Sequence, residues 1–462
     1  MAEFIFATGI ENSYPLTMVK DAGGIVRPLR RDQMKETGHH DLWEEDFALV
    51  EKLGIPFLRY GPPYYLVQEA SGKCNFSLKP EQIGAHKRFD MRERLDALCG
   101  LGITPIIDLC HFGLPDWATG FQDSSWPEKF AGYARTFAET FTDVVLYTPI
   151  NEIYVAANFS GQLTLWNERA GTDSGFVAAL CNLCRANVRA MEEILKVRPG
   201  ALFIQSESSE YFHPETEKDI PAAEFLNSKR FLSLDLSYGH AVDAEMYRYL
   251  KKYGMTEEDY EFFMTPRPAL LQACVMGNDY YNTNEHWVDG AGTANPSNYR
   301  EAGEIFGYYV ITHQYYERYG MPFMHTETNR ANRRWQPDES LEWLQKEWAN
   351  VVRLKQDRVP IIGFTWYGLV DLVGWDKLLD EGNMEPVWAG LCTLDRAIRP
   401  VGERYRKIIQ DWRQALQGRE IETGGAGVLA LDEAERGTQA IARANRTAEY
   451  IKALPRGRFQ VR

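Results

Sequence analysis

The sequence predicts a (β/α)8 barrel of the TIM class, on three observations. Eight short runs of strand character recur along the chain, helical periodicity fills the segments between them, and the chemically interesting residues fall just after the runs. In order, the runs are Phe4 to Thr8, Phe57 to Tyr60, Thr104 to Leu109, Val144 to Ile150, Leu202 to Ser206, Ala273 to Tyr281, Pro322 to Thr326 and Ile361 to Trp366. They are largely apolar, as strands buried on both faces of a parallel sheet must be. After the first run, Trp43, Phe47, Val50 and Leu53 repeat at helical spacing, and Gly54 supplies the stop. Gly102 ends another helix just before the third run. Phe130, Tyr133, Ala134, Phe137 and Phe141 mark the helix before the fourth. Glu207 to Gln272 is a long polar, Tyr-rich insertion between the fifth and sixth runs, expected to be partly helical and placed to cover the barrel mouth. Such extended βα loops take the chain beyond the usual ~250 residues of this fold. The barrel is expected to close near Trp412, which gives a barrel domain of residues 1–416. Residues 417–462 are Gly-rich at Gly424-Gly425-Ala426-Gly427, then charged and Ala-rich from Leu431 to Leu454, and read as a peripheral helical tail.

A chain of 462 residues with 44% hydrophobic content can bury a large core. Its formal charge of -14, with no run of Lys and Arg, excludes a nucleic-acid or anionic-membrane partner, because both need a concentrated positive face. Neutral ligands fit better, and 13% aromatic content supplies flat faces for the C–H surfaces of sugars. The seven cysteines lie mostly in apolar runs and read as reduced core thiols; Cys181 and Cys184 have metal spacing but no second pair nearby. No metal and no cofactor are expected. The first strand run begins at Phe4 without a basic-then-apolar leader, and no stretch approaches the ~20 apolar residues of a membrane span, so a cytoplasmic protein is expected. A homo-oligomer stays open.

Two segments carry the chemistry. Thr148-Pro149-Ile150-Asn151-Glu152 and His325-Thr326-Glu327-Thr328-Asn329 each set a Glu at the end of a strand run, so both carboxyls can emerge at the C-terminal rim of one barrel, where function resides in this fold. A single Glu there is ordinarily a solvated loop carboxylate. A pair, with Arg59, His111, Tyr280-Tyr281 and Trp366 at other strand ends, points to retaining glycoside hydrolysis, which needs an acid and a carboxylate nucleophile about 5 Å apart.

These segments resemble those of the glycoside hydrolase family 1 β-glycosidases. Leu109-Cys-His-Phe-Gly-Leu-Pro-Asp-Trp117 is similar to the family's strand-three motif, Thr148-Pro-Ile-Asn-Glu152 to its acid/base motif, and Thr326-Glu-Thr-Asn329 to its nucleophile motif. Gly277-Asn-Asp-Tyr-Tyr281, and Gly363-Phe-Thr-Trp366 with Asp371 and Trp375, resemble two further blocks. The resemblance runs from about Phe4 to Trp412. It implies Glu152 as acid/base and Glu327 as nucleophile, with Asn151 and His111 binding sugar hydroxyls and Trp366 and Trp375 flooring the glycone pocket. Arg59 and Tyr281 would support Glu327. Glu152 should keep its proton through burial and nearby negative charge, whereas Arg59 should keep Glu327 ionised.

The match departs where the family grips the glycone. Gly374 stands where a Glu precedes the second Trp, Tyr14-Pro15 replaces a Tyr-Gln pair, Asp279 replaces an Asn, Ile153 a Pro and Phe112 a Trp. Glu11, Asn12 and Asp376 are candidates for replacement contacts. The expected function is a retaining β-glycosidase with an atypical glycone pocket, acting on a carbohydrate substrate. Alternatives are a carbohydrate-binding barrel with little catalysis and a 6-phospho-β-glycosidase, the latter poorly matched because Lys377-Leu-Leu lacks the phosphate-binding Lys-x-Tyr. A metal-dependent barrel using His111, Asp108 and Glu152 lacks a recognisable ligand spacing.

Overall fold

Eight parallel strands close into a barrel in the computed structural model, which describes residues 4–20, 23–289, 299–331, 337–379 and 385–416. The strands are β1 (Ile5–Gly9), β2 (Phe57–Tyr60), β3 (Thr104–Asp108), β4 (Leu146–Thr148), β5 (Leu202–Gln205), β6 (Cys274–Asp279), β7 (Phe323–Glu327) and β8 (Ile361–Tyr367). Each pairs with its neighbours in chain order, and β8 returns to β1, with Ile5 opposite Gly363 and Gly9 opposite Tyr367. This is the (β/α)8 barrel, and every strand run read from the sequence overlaps one of its strands, with β1, β7 and β8 each extending one residue past the run. The fourth shortens most. Val144 and Val145 stay outside the strand, Val145 being exposed, and Pro149 has no N–H with which to continue the ladder.

Helices cover the barrel as their apolar periodicity requires. His39–Lys52 buries Trp43, Phe47 and Val50, and Trp126–Thr140 buries Phe130, Tyr133, Ala134 and Phe137. Gly54 and Gly102 both adopt positive φ, the left-handed conformation that ends a helix without a Cβ clash. Thr172 caps the long helix Asp173–Val197 by accepting the Gly175 N–H. The final helix, Pro400–Leu416, seals the seam where the barrel closes. Its Tyr405 hydroxyl lies 2.9 Å from the carbonyl oxygens of both Ala7 in β1 and Phe364 in β8.

The insertion after β5 forms five α-helices, Ile220–Lys229, Leu232–Tyr238, Ala244–Lys252, Glu257–Met264 and Pro268–Gln272. It also supplies the strand Tyr211–Pro214, which pairs with Glu285–Val288 and through it with Tyr299–Glu301. Five of the seven cysteines are buried and all are free thiols; Cys74 is half-buried. Cys99 departs from the core reading: it is exposed, one position past the buried Leu98 at the end of its helix. Among the described residues, no helix is long and apolar enough to cross a membrane. The helical reading of 417–462 falls outside the described residues.

Candidate active site

The C-terminal strand ends converge on a cavity of about 700 Å³, lined among others by Glu11, His111, Glu152, Tyr281, Glu327 and Trp375. Both strand-end glutamates therefore open into one space. Glu327 ends β7, and its carbonyl accepts the Tyr280 N–H at 3.0 Å, which ties it to the end of β6. Glu152 lies beyond β4 in a left-handed conformation with φ +37°, and its N–H bonds the Ser206 carbonyl at 2.9 Å. For a residue with a Cβ that backbone is strained, and the strain sits at the residue whose side chain enters the cavity.

Arg59, on β2, organises the floor. One guanidinium nitrogen donates to Glu327 and to Ser206 Oγ at 2.7 Å; the other donates to Asp108 Oδ2 at 2.7 Å and to Asn151 Oδ1. The rigid fork thus joins strand ends β2, β3, β4, β5 and β7 through one planar group. Tyr281 holds the second Glu327 oxygen, its hydroxyl donating to Oε2 at 2.7 Å. Glu327 receives a charge-assisted bond from one side and a phenol hydroxyl from the other, which fixes its rotamer.

His111 follows β3. Its Nδ1 donates to Asp108 Oδ2 at 2.8 Å, and Asn151 Nδ2 donates to its Nε2 at 3.0 Å, so the ring is neutral in this arrangement. Glu11 Oε1 lies 3.5 Å from the same Nε2 and accepts the Ser13 N–H at 3.2 Å. Burial pushes the His111 pKa down, but Glu11 and Asp108 outweigh it and hold the ring above its ordinary value. Protonation would turn Nε2 from an acceptor of Asn151 into a donor to Glu11.

Glu152 has the opposite electrostatics to Glu327. Burial, then the charges of Asp279, Glu327, Glu207 and Glu210, drives its carboxyl well above the usual carboxylate range. No guanidinium or ammonium bonds it among the described residues. One cavity thus holds a carboxyl that keeps its proton beside another paired with a guanidinium, the division of labour that acid-assisted displacement at an acetal carbon needs.

No family model matches the chain. It is 24% identical to β-glucosidase A of Thermotoga maritima over 404 residues, covering 81% of this chain and 86% of the relative. The chain is homologous to that β-glucosidase. A shorter stretch of 163 residues, 33% of this chain and 32% of the relative, is 30% identical to human cytosolic β-glucosidase. Among solved structures, the T. maritima β-glucosidase in complex with castanospermine superposes with a TM-score of 0.69 at 19% identity, covering 89% of this chain and 98% of that one. The family 1 β-glucosidase from the same organism gives 0.66 at 20% identity, with 81% and 87% covered.

In this β-glucosidase homologue Glu11, His111, Glu152, Tyr281, Glu327 and Trp375 all line the cavity, while Arg59 and Asn151 lie directly beneath it. Trp366 does not line it: the side chain is fully buried, and its indole N–H donates to the Ala389 carbonyl at 2.9 Å. Three residues absent from the sequence-based site belong to it. Ser206 bridges Arg59 and Asp279, Glu207 accepts the Tyr154 N–H at 3.1 Å behind Glu152, and Glu210 lines the mouth. Burial pushes Glu207 up to about 7. Ser206 was legible only as the last residue of the fifth strand run. The two glutamates open the insertion, where carboxylates are usually surface groups.

Proposed function

We propose that the chain is a retaining β-glycosidase in which Glu327 is the nucleophile and Glu152 the acid/base. The observation that carries this reading is the contrast within one cavity, with Glu327 clamped by Arg59 and Tyr281 and Glu152 raised by burial and surrounding carboxylates. In the first step a Glu327 oxygen bonds the anomeric carbon as the bond to the leaving oxygen breaks, and that oxygen takes the Glu152 proton. In the second, Glu152 removes a proton from water, whose oxygen bonds the anomeric carbon and releases Glu327. Asn151, held between Arg59 and His111, is placed to orient a sugar hydroxyl near Glu327. The homology to a β-glucosidase supports the β configuration.

A phosphorylated sugar is disfavoured. The charged lining is mostly carboxylate, including Glu11, Glu210, Glu301 and Asp376, and these would repel a phosphate. The test is Glu327→Ala assayed on an activated aryl β-glycoside. Hydrolysis should disappear, and added azide should restore turnover with an α-glycosyl azide as product. Near-normal hydrolysis by the variant would reject the assignment.

A further inference from the structure

The cavity has two chemically different halves. Towards β5 and β6 the lining is polar, with Ser208, Glu210, Asn282, Thr283 and Asn284. Towards β1, β3 and β8 it has a polar corner of Glu11 and His111, and beside it an apolar wall of Phe112, Leu372, Trp375, Leu378 and Val387. Asp376 is the one charged side chain lining this wall among the described residues.

The charges show which half takes the sugar. The carboxylates that raise Glu152, apart from Glu327, are Asp279, Glu207 and Glu210, all from the β5 and β6 side. Glu11 Oε1 lies 3.5 Å from His111 Nε2, and the Asn151 bonded to that nitrogen shares the Arg59 fork with Glu327. In the reaction proposed above, the leaving oxygen lies at Glu152 and the anomeric carbon at Glu327. The aglycone then extends towards Glu210, and the glycone lies under Glu11 and His111 against the apolar wall.

That wall is built to keep its shape. Trp166 is fully buried behind it, with ring centroids 4.8 Å from Phe112, 4.7 Å from Phe159 and 5.9 Å from Trp375. Its indole N–H donates to the Leu378 carbonyl at 2.8 Å. Leu372 pairs with Val387 in a two-stranded ladder, and Trp375 packs against the small core those two form with Ala389. The Trp375 indole nitrogen is itself buried, so the side chain offers the cavity ring carbon rather than a donor.

We propose that the glycone is a 6-deoxyhexose, with ring hydroxyls on Glu11 and His111 and the C5 methyl against the Phe112, Leu372, Trp375 and Val387 wall. A hydroxymethyl group there would surrender its hydrogen bonds to water for an apolar surface, whereas a methyl gains by leaving water. The inference rests on the retaining-glycosidase reading for the orientation of the substrate. It gives Phe112, Leu372 and Val387 the role of selecting the glycone.

The test uses the full chain and aryl β-glycosides in pairs that differ only at C6: glucoside against 6-deoxyglucoside, and galactoside against fucoside. kcat/KM should favour the 6-deoxy member by about tenfold or more in the better-accepted pair. The xyloside, which lacks C6 altogether, should fall below the 6-deoxyglucoside because the methyl contact is gone. Equal or faster turnover of the hydroxymethyl members would overturn the proposal. If no glycoside is hydrolysed, the catalytic reading fails instead, and calorimetric titration of the same pairs decides the wall separately. Tighter binding of the 6-deoxy member upholds it; equal, weaker or absent binding overturns it.

Discussion

The Ser206 hydroxyl sits between the two carboxylate oxygens of Asp279, at 2.8 and 2.7 Å, while accepting the Arg59 N–H at 2.7 Å. Ser206 has one proton to give, and Glu327 Oε1 lies within 3.4 Å as a second acceptor. Burial and the Glu327 charge outweigh Arg59 and push Asp279 well above the usual carboxylate range. A protonated Asp279 can donate to Ser206 and free the Ser206 proton for Glu327. Asp279 also raises Glu152, next in size after burial itself. Asp279→Asn keeps the shape but cannot ionise, so at alkaline pH no charge at that position opposes ionisation of Glu152, which should lose its proton at lower pH. The alkaline limb of kcat/KM should move down by about 0.5–1 pH unit. A limb that stays put or moves up would contradict the coupling.

Tyr281→Phe removes one hydrogen bond to the Glu327 side chain that Arg59 pairs with, and little else. Bonds to charged groups contribute about 1.5–3 kcal/mol, so kcat/KM should fall by about 10- to 100-fold. The melting temperature should change little, because the ring stays in place. A fall in stability as large as the fall in activity would mean that the hydroxyl serves the fold.

Arg59→Lys retains a positive charge but cannot reproduce a planar fork that reaches Asp108, Asn151, Ser206 and Glu327 together. Turnover should drop by about 100-fold or more, even on glycosides whose leaving group needs no proton, since the defect would lie at the proposed nucleophile, Glu327. Activity within a few fold of wild type would show that charge alone suffices.

Glu347 concerns stability rather than catalysis. It is fully buried, with Oε2 3.5 Å from His325 Nε2. The His325 Nδ1 faces the Asn278 carbonyl at 3.1 Å and so carries the ring proton, leaving Nε2 as an acceptor. Burial pushes Glu347 up to about 8 and His325 down to about 3, which puts a proton on the carboxyl at neutral pH. For a carboxyl raised in the folded state, the stabilisation is complete below its ordinary value of 4.5 and is lost as pH climbs through about 8. Glu347→Gln abolishes that titration. The wild type should lose about 1–4 kcal/mol more than the variant between pH 5 and 9, read from denaturant midpoints at each pH. Parallel pH profiles would refute it.

Barrel strands were legible because their apolar runs are short, separated by helical segments and punctuated by Gly and Pro, and because parallel neighbours follow chain order. The ends were less so: Pro149 halts β4 through a missing donor, a local effect that hydrophobicity does not register. The charged members of the site stood out at strand ends, and the cavity gathers Glu11, His111, Glu152 and Glu327 from four of them. The resemblance put Trp366 on the pocket floor, but an indole near the end of a strand can turn inward or outward. Its bond to Ala389 turns it away from the cavity. Ser206 escaped because a hydroxyl at a strand end has no distinctive neighbours in sequence. Glu207 and Glu210 escaped because only the folded insertion buries one and brings the other to the mouth.

Trp166 gathers Phe112, Phe159, Trp375 and the Leu378 carbonyl onto a single indole, yet bonds none of the groups around Glu327. With the wall selecting the glycone as proposed, choosiness and bond scission would be mechanically separable. A Trp166→Leu chain should grow promiscuous towards bulkier or more hydroxylated sugars while still turning over its preferred one, so new specificities are reachable by drift at a residue no substrate ever touches.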